Sequence, residues 1–120
     1  MHFQYITIIV KDLAASVDFY QTMTKLHISR ELSPGGATKI AFLRNAEGAT
    51  EIELVENAEM QGFQGKGFFL SFHTDALDEM HALASAKNLN PSDIRSPNET
   101  SRYFYVYDPN GVSIQLTQNQ

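Results

Sequence analysis

The sequence lacks cysteine entirely and is poor in basic residues, with nine Lys and Arg against fourteen Asp and Glu in 120 residues. Without cysteine, the chain can form no disulfide scaffold, cysteine zinc site or iron–sulfur cluster, and it cannot use thiol catalysis. With no disulfide to form, we expect the protein in the cytoplasm. The formal net charge of −5 argues against nucleic acid and against anionic membrane surfaces as partners.

Long apolar runs are also missing. No stretch approaches the roughly 18 consecutive apolar residues of a membrane-spanning helix. The start of the chain does not resemble a secretory signal, because His2 and Gln4 interrupt it and the apolar run 6–10 is short. The sequence does contain 42% hydrophobic residues, including eight Phe and five Tyr. These values indicate one folded domain, residues 1–120, with an ordinary core.

The periodicity of the apolar residues predicts the same order of elements twice, β-α-β-β-β, on either side of a polar linker over 57–66. Asp12 and Asp75 each precede a helical pattern and are expected to be N-caps. The four-residue stretches at 33–36, 45–48 and 108–111 have turn composition, and Pro97-Asn98 is also expected to be a turn. The predicted strands span residues 3–10, 28–33, 38–44, 50–56, 67–74, 93–96, 103–107 and 112–117.

Spacing supports an internal repeat. The triplet Ile52-Glu53-Leu54 lies 62 positions before Ile114-Gln115-Leu116, and Val10–Leu13 lies 64 positions before Thr74–Leu77. We therefore predict an α+β fold of two tandem βαβββ modules, about residues 1–57 and 67–118. In each module one helix would cover one face of a four-stranded sheet. The uncovered faces would bury themselves on each other, on another chain or around a ligand.

Both ends of the chain resemble a known superfamily. The opening segment reads IIVKDLAASVDFY over residues 8–20, and the closing segment reads YVYDPNGVSIQL over 105–116. Together they resemble the vicinal-oxygen-chelate superfamily, which includes glyoxalase I, bleomycin-resistance proteins and extradiol dioxygenases. The resemblance covers the whole chain and implies a glyoxalase-like curved sheet around a cleft. One departure lies after the first helix, where Thr24-Lys25-Leu26 replaces the usual Leu-Gly-Phe.

The resemblance also implies four positions at which metal-using members bind a divalent cation through His and Glu side chains. Spacing from the helix-start aspartates places two of them at Tyr5 and Phe69, and the repeated triplets place the others at Glu53 and Gln115. Only Glu53 is a good ligand for Zn²⁺, Ni²⁺, Mn²⁺ or Fe²⁺. We therefore expect no metal site and no cofactor. A site rebuilt from Glu53, His73 and waters is the alternative.

Glu53 and His73 are the candidate catalytic residues. Strand alternation and the position implied by the resemblance both turn Glu53 inward, where it could act as a general base or a hydrogen-bond acceptor. His73 is expected to share the cleft side of its strand with Phe69 and Ser71 and could shuttle protons near neutral pH. The alternatives are a solvated carboxylate at position 53 and a histidine at a strand end bonded to backbone near Asp75.

A row of alternating aromatic residues provides the candidate ligand-binding surface. If Phe104 and Val106 pack on a helix, the intervening tyrosines face the other way and form an aromatic, hydrogen-bonding cleft. Arg102 beside this row could hold a carboxylate or phosphate. The alternatives are a dimer interface for the tyrosines and a solvated surface charge for Arg102. The candidate ligand-binding residues are Tyr5, Phe69, Ser71, Arg102, Tyr103, Tyr105, Tyr107 and Gln115.

Three classes of function follow. The first is a glyoxalase/bleomycin-resistance-like protein that binds a small organic molecule without metal. The second is an enzyme, either a metal-dependent glyoxalase-like lyase or isomerase, a dioxygenase, or a metal-free acid–base enzyme using Glu53 or His73. The third is a partner-binding dimeric module with no small-molecule site. The resemblance implies a homodimer in each case.

Overall fold

Each half of the chain forms a four-stranded sheet with one helix on it in the computed structural model, which describes residues 1–119. The chain divides into two compact units between Gln64 and Gly65. The first unit contains β1 (Tyr5–Val10), α1 (Leu13–Met23), β2 (His27–Gly35), β3 (Thr38–Arg44) and β4 (Glu51–Glu56). The second contains β5 (Leu70–His73), α2 (Leu77–Ala86), β6 (Arg95–Asn98), β7 (Ser101–Tyr107) and β8 (Ser113–Asn119).

The two sheets have the same topology. Their strand orders are β1-β4-β3-β2 and β5-β8-β7-β6, with the first and last strands of each unit parallel and the other neighbours antiparallel. In the parallel pairs, Thr7 lies opposite Glu53 and Ser71 lies opposite Gln115. The predicted repeat of α+β modules is therefore confirmed.

Alternation along the strands decides which face of each sheet is covered. In the first unit, even-numbered residues of β1 and β4 are buried on the side where α1 packs, and in the second unit even-numbered residues of β7 and β8 are buried on the side of α2. The odd-numbered residues of these strands face away from the helix, and we call this side the open face. The buried even-numbered residues of these four strands are Ile8, Val10, Ile52 and Leu54, and Phe104, Val106, Ile114 and Leu116.

The two helices begin differently. Asp12 caps α1 as predicted, because its Oδ1 accepts a hydrogen bond of 3.0 Å from the backbone nitrogen of Ala15. Asp75 does not cap α2. The N-cap residue is Ala76, which has no capping side chain, and the Leu77 nitrogen donates instead to Gln118 Oε1 of β8 at 3.1 Å. The expectation for Asp75 was wrong because its carboxylate contacts His73.

Both helices end in a left-handed residue. Lys25 follows the C-cap of α1 with φ 59°, and Asn88 follows the C-cap of α2 with φ 59°. Glycine adopts this conformation at lowest cost, and asparagine is the common substitute. Lys25 stands where the superfamily usually has glycine, so the departure noted in the sequence keeps the helix ending and changes only the residue.

The predicted turn at 108–111 is confirmed, and the one at Pro97-Asn98 is corrected. Asp108 holds the 108–111 turn, because its Oδ1 accepts from the backbone nitrogens of Asn110 at 2.8 Å and Val112 at 2.9 Å. The expected turn at Pro97-Asn98 belongs instead to β6, and the chain reverses at 99–100, where Asn98 Oδ1 accepts from the Thr100 nitrogen at 2.8 Å. Within residues 1–119, neither helix is long and apolar enough to cross a membrane.

Candidate functional site

The open face of the first unit carries a carboxylate beside a hydroxyl. Thr7 Oγ1 donates to Glu53 Oε1 at 2.5 Å, across the parallel pairing of β1 and β4. Phe42 lies opposite Glu53 on β3, and its ring meets Tyr5 edge-on with centroids 5.4 Å apart. Glu53 and Tyr5 thus lie on the predicted face, and Glu53 is half-buried there.

A cation–π contact extends this face. The Arg30 guanidinium lies 3.9 Å from the centroid of the Phe42 ring, and its Nη2 is 3.9 Å from Glu51 Oε1. Ser29 also donates to the Glu51 carboxylate. The sequence pattern does not predict Arg30 at this face, because the pairing of β2 with β3 shifts between Ile28 and Arg30. Such a bulge breaks the strict alternation that would have placed this side chain.

A hydrogen-bonded chain crosses the open face of the second unit. Ser71 Oγ donates to Gln115 Oε1 at 2.8 Å, and Gln115 Nε2 donates to the Tyr105 hydroxyl oxygen at 3.1 Å. Rings flank Tyr105 on both sides, because Phe69 and Tyr103 meet it edge-on with centroids 5.2 and 5.6 Å away. The structure therefore brings together five of the residues predicted to bind a ligand.

Tyr105 also lines a cavity of about 490 Å³ on this open face. Ser92 closes one side, since its backbone nitrogen donates to the Tyr105 carbonyl at 2.9 Å and its Oγ accepts from the Tyr105 nitrogen at 2.8 Å. Tyr107 lines it with a side chain that is 65% exposed. In the sequence, Asn90-Pro91 is a pattern that ends a helix and does not predict a binding residue. The lining residues are Asn90, Pro91, Ser92, Tyr105, Tyr107 and Ser113.

His73 lies at the end of β5 with an exposed side chain. Its Nε2 is 3.1 Å from Asp75 Oδ1, a contact that becomes an ion pair when the imidazole is protonated. It shares the side of β5 that Ser71 occupies, as expected from alternation. Its hydrogen-bond partner is thus a carboxylate at the strand end.

Arg102 faces away from the tyrosine row. It points to the helix side of the sheet, where its Nη1 and Nη2 donate to the Asp78 carboxylate at 3.1 and 2.7 Å. These hydrogen bonds hold the pKa of Asp78 below its ordinary value and raise the pKa of Arg102. Alternation in β7 groups Arg102 with Phe104 rather than with Tyr103, so Arg102 lies on the other face from the tyrosine row. Its role in holding a carboxylate or phosphate stays a prediction.

The donor set on the open faces does not suit a divalent cation. Within residues 1–119, no three His, Asp or Glu side chains come together as a metal site would require. At the implied ligand positions only Glu53 has a carboxylate, and it already accepts from Thr7. Gln115 is a neutral amide bound to Ser71 and Tyr105, and Phe69 has no donor atom. Zn²⁺, Ni²⁺, Mn²⁺ and Fe²⁺ are bound in proteins mainly by imidazole and carboxylate groups, and these positions offer only one such group.

Comparison with protein families identifies the chain. The model of the Glyoxalase/Bleomycin resistance protein/Dioxygenase superfamily matches residues 2–116. The chain belongs to this superfamily. The match extends over both units, and it confirms the resemblance that the two terminal motifs indicated.

Solved structures of other superfamily members have the same fold. A glyoxalase family protein from Bacillus cereus superposes with a TM-score of 0.82 at 15% identity, over 99% of this chain and 94% of that one. TnmS3, an antibiotic binding protein from a Streptomyces species, gives 0.77 at 21% identity, over 100% and 97%. The fosfomycin resistance protein FosX from Listeria monocytogenes gives 0.77 at 21% identity, over 100% and 94%. No curated protein sequence matches the chain.

Proposed function

We propose that this superfamily member binds a small organic molecule in the cavity on the open face of its second unit, and that it does so without a metal ion. The observation that carries the proposal is the position of Tyr105. Tyr105 lines the cavity, and its hydroxyl is also the end of the chain of hydrogen bonds from Ser71 through Gln115. The Tyr105 side chain is therefore preorganised before a ligand binds.

The size and chemistry of the cavity suit an organic ligand. Small-molecule pockets typically measure about 300–1,000 Å³ and combine apolar or aromatic walls with a few placed polar groups. Here two tyrosine rings and Pro91 supply apolar surface, while hydroxyl and amide groups supply hydrogen bonds. The likeness to TnmS3 and FosX, an antibiotic binding protein and a fosfomycin resistance protein, supports a ligand of this size class.

The proposal that binding needs no metal follows from the donor set. A cation at the superfamily's ligand positions would have to be held by Glu53 with an amide and an aromatic ring, which are poor substitutes for imidazole and carboxylate. The chain's own groups instead supply hydrogen bonds and ring contacts. The same superfamily includes proteins with bound Mn²⁺, as in a FosX variant, so loss of the site would set this chain apart from them.

We also propose that the protein is a homodimer. Each sheet has one face without a helix, and several large apolar side chains are exposed, among them Phe3, Leu32 and Phe68. Superfamily proteins commonly pair such modules, and a second copy would bury apolar area through an isologous interface.

The binding proposal is tested with metal-stripped protein in EDTA. A library of antibiotics and metabolites is screened by thermal shift, and dissociation constants of the hits are measured by calorimetry. We expect Tyr105→Phe to weaken a hit by about fivefold through the lost hydroxyl. Tyr20→Phe is the matched control, because Tyr20 is fully buried in the core of the first unit.

Two results would contradict the proposal. In the first, no compound of the library binds, but Zn²⁺, Ni²⁺, Mn²⁺ or Fe²⁺ stabilises the protein. Such stabilisation would be easy to detect, because a ligand at 100 times its dissociation constant raises the free energy of unfolding by about 2.7 kcal/mol. The other is a hit whose affinity disappears in EDTA and returns with Mn²⁺, which would restore the metal-dependent interpretation.

A further inference from the structure

The hydrogen-bonded chain on the open face of the second unit has a direction. A side-chain amide has one accepting oxygen and one donating nitrogen, so it cannot treat both neighbours alike. Gln115 accepts from Ser71 through Oε1 and donates to the Tyr105 hydroxyl oxygen through Nε2. Tyr105 is therefore an acceptor in this chain, and its own hydroxyl hydrogen is left to donate to another group.

The Tyr105 hydroxyl is held in position. The ring lies between the edges of Phe69 and Tyr103, and the backbone on both sides of it is bonded to Ser92 and to β8. A hydroxyl that already accepts a hydrogen bond is also a stronger donor, because bonds in a series polarise one another. Tyr105 thus carries a preorganised donor on the open face and is itself one of the residues that line the cavity.

Asn90, Ser92, Tyr107 and Ser113 also carry donors at the cavity, but none of them is the end of a chain of hydrogen bonds as Tyr105 is. The Ser92 hydroxyl is occupied, since it accepts from the Tyr105 nitrogen and donates to the Asp93 carbonyl at 3.2 Å. Tyr107 is mostly exposed. The lining contains no Lys, Arg, Asp or Glu, so it supplies no formal charge to balance an ionic ligand.

We propose that the cavity selects neutral ligands that present a carbonyl oxygen, on a flat or aromatic framework, to the Tyr105 hydroxyl. This inference rests on the proposed function and specifies its ligand class. A carbonyl oxygen completes the series Ser71–Gln115–Tyr105–ligand with every donor matched to an acceptor. A ligand offering a donor at the same point would leave two hydrogens facing each other, and a hydrocarbon would leave the hydroxyl hydrogen unpaired.

Two probes of similar shape test the inference. Acetophenone carries a carbonyl where ethylbenzene carries a methylene, and both bindings are measured by chemical-shift titration of the tyrosine and backbone signals. We expect wild-type protein to bind acetophenone about fivefold more tightly, which corresponds to one neutral hydrogen bond. Tyr105→Phe removes the donor, so the two probes should then bind equally.

Two further variants test the direction. Gln115→Glu replaces the donating amide by a carboxylate, which accepts the Tyr105 hydrogen. The preference for acetophenone should be lost although Tyr105 is unchanged. Ser71→Ala removes the first hydroxyl and leaves the bond from Gln115 to Tyr105, so the preference should persist.

Each contrary result is informative. Equal binding of the probes to wild-type protein overturns the inference and leaves the proposed function standing. A preference that survives Tyr105→Phe, or that Ser71→Ala abolishes, overturns the assigned donor. Failure of both probes to bind also overturns the inference, whereas the proposed function is decided separately by the library screen.

Discussion

Glu53 and Gln115 occupy equivalent positions in the two units and have different chemistry. Each lies opposite a small hydroxyl residue of the first strand, Thr7 or Ser71, and each accepts a hydrogen bond from it. One position keeps a carboxylate and the other has a neutral amide. The amide of Gln115 provides a donor for Tyr105, which a carboxylate at that position could not provide. The acid–base roles expected for Glu53 and His73 stay predictions.

At the residue scale, the Asp78–Arg102 pair predicts a pH dependence of stability. The hydrogen bond from Arg102 keeps the folded pKa of Asp78 below its ordinary value of 3.8. A carboxyl with a lowered folded pKa stabilises the fold above its unfolded pKa, and this contribution is lost as pH falls through the folded pKa. Urea unfolding should therefore show wild type more stable than Asp78→Asn near pH 6, with the difference shrinking as the solution is acidified.

Glu79→Gln is the control for that measurement. Glu79 lies in the same first turn of α2, so its substitution removes a similar interaction with the helix dipole but not the contact with Arg102. Its effect should be smaller than that of Asp78→Asn. Stability differences that are the same at all pH values, or equal for the two variants, would show that the pair has no such role.

At the scale of single elements, β7 shows how far alternation predicts a site. Phe104 and Val106 are buried under α2, which turns Tyr103 and Tyr105 to the open face as the sequence analysis required. The same rule places Arg102 with the buried residues, where it reaches Asp78. Alternation therefore predicts the face on which Arg102 lies, but it does not predict Asp78 as its partner.

The beginning of α2 gives a second prediction. Gln118 Oε1 accepts from the Leu77 nitrogen, and Gln118 Nε2 donates to the Asp75 carbonyl at 3.0 Å. Gln118, a residue of β8, thus caps the N-terminus of α2. We expect Gln118→Ala to lower the free energy of unfolding by about 1 kcal/mol, the usual cost of losing a helix cap.

The control is Asp75→Ala, measured in the same denaturation series. If the cap is Gln118, this substitution should change stability by less than about 0.5 kcal/mol, as is usual for an exposed side chain. The reverse order of effects would restore Asp75 as the cap and contradict the structural assignment.

At the scale of the whole molecule, the repeated module leaves two sheet faces without helices, and this underlies the proposed homodimer. Light scattering during size-exclusion chromatography should give twice the 13.5 kDa mass of the chain. The melting temperature should also rise with protein concentration, because association stabilises the folded state by mass action. A mass of one chain, with a melting temperature independent of concentration, would contradict the proposal.

The sequence by itself determined the repeated order of elements, the covered and open faces, and the superfamily. These depend on periods of two and 3.6 residues and on local motifs, which are readable along the chain. Only the tertiary structure decided that Gln118 caps α2, that Arg102 pairs with Asp78, and that Ser92 closes a cavity beside Tyr105. These partners are far apart in the sequence and are brought together by the register of the strands and by the connections between elements. No local sequence pattern encodes which distant side chain will lie within hydrogen-bonding distance.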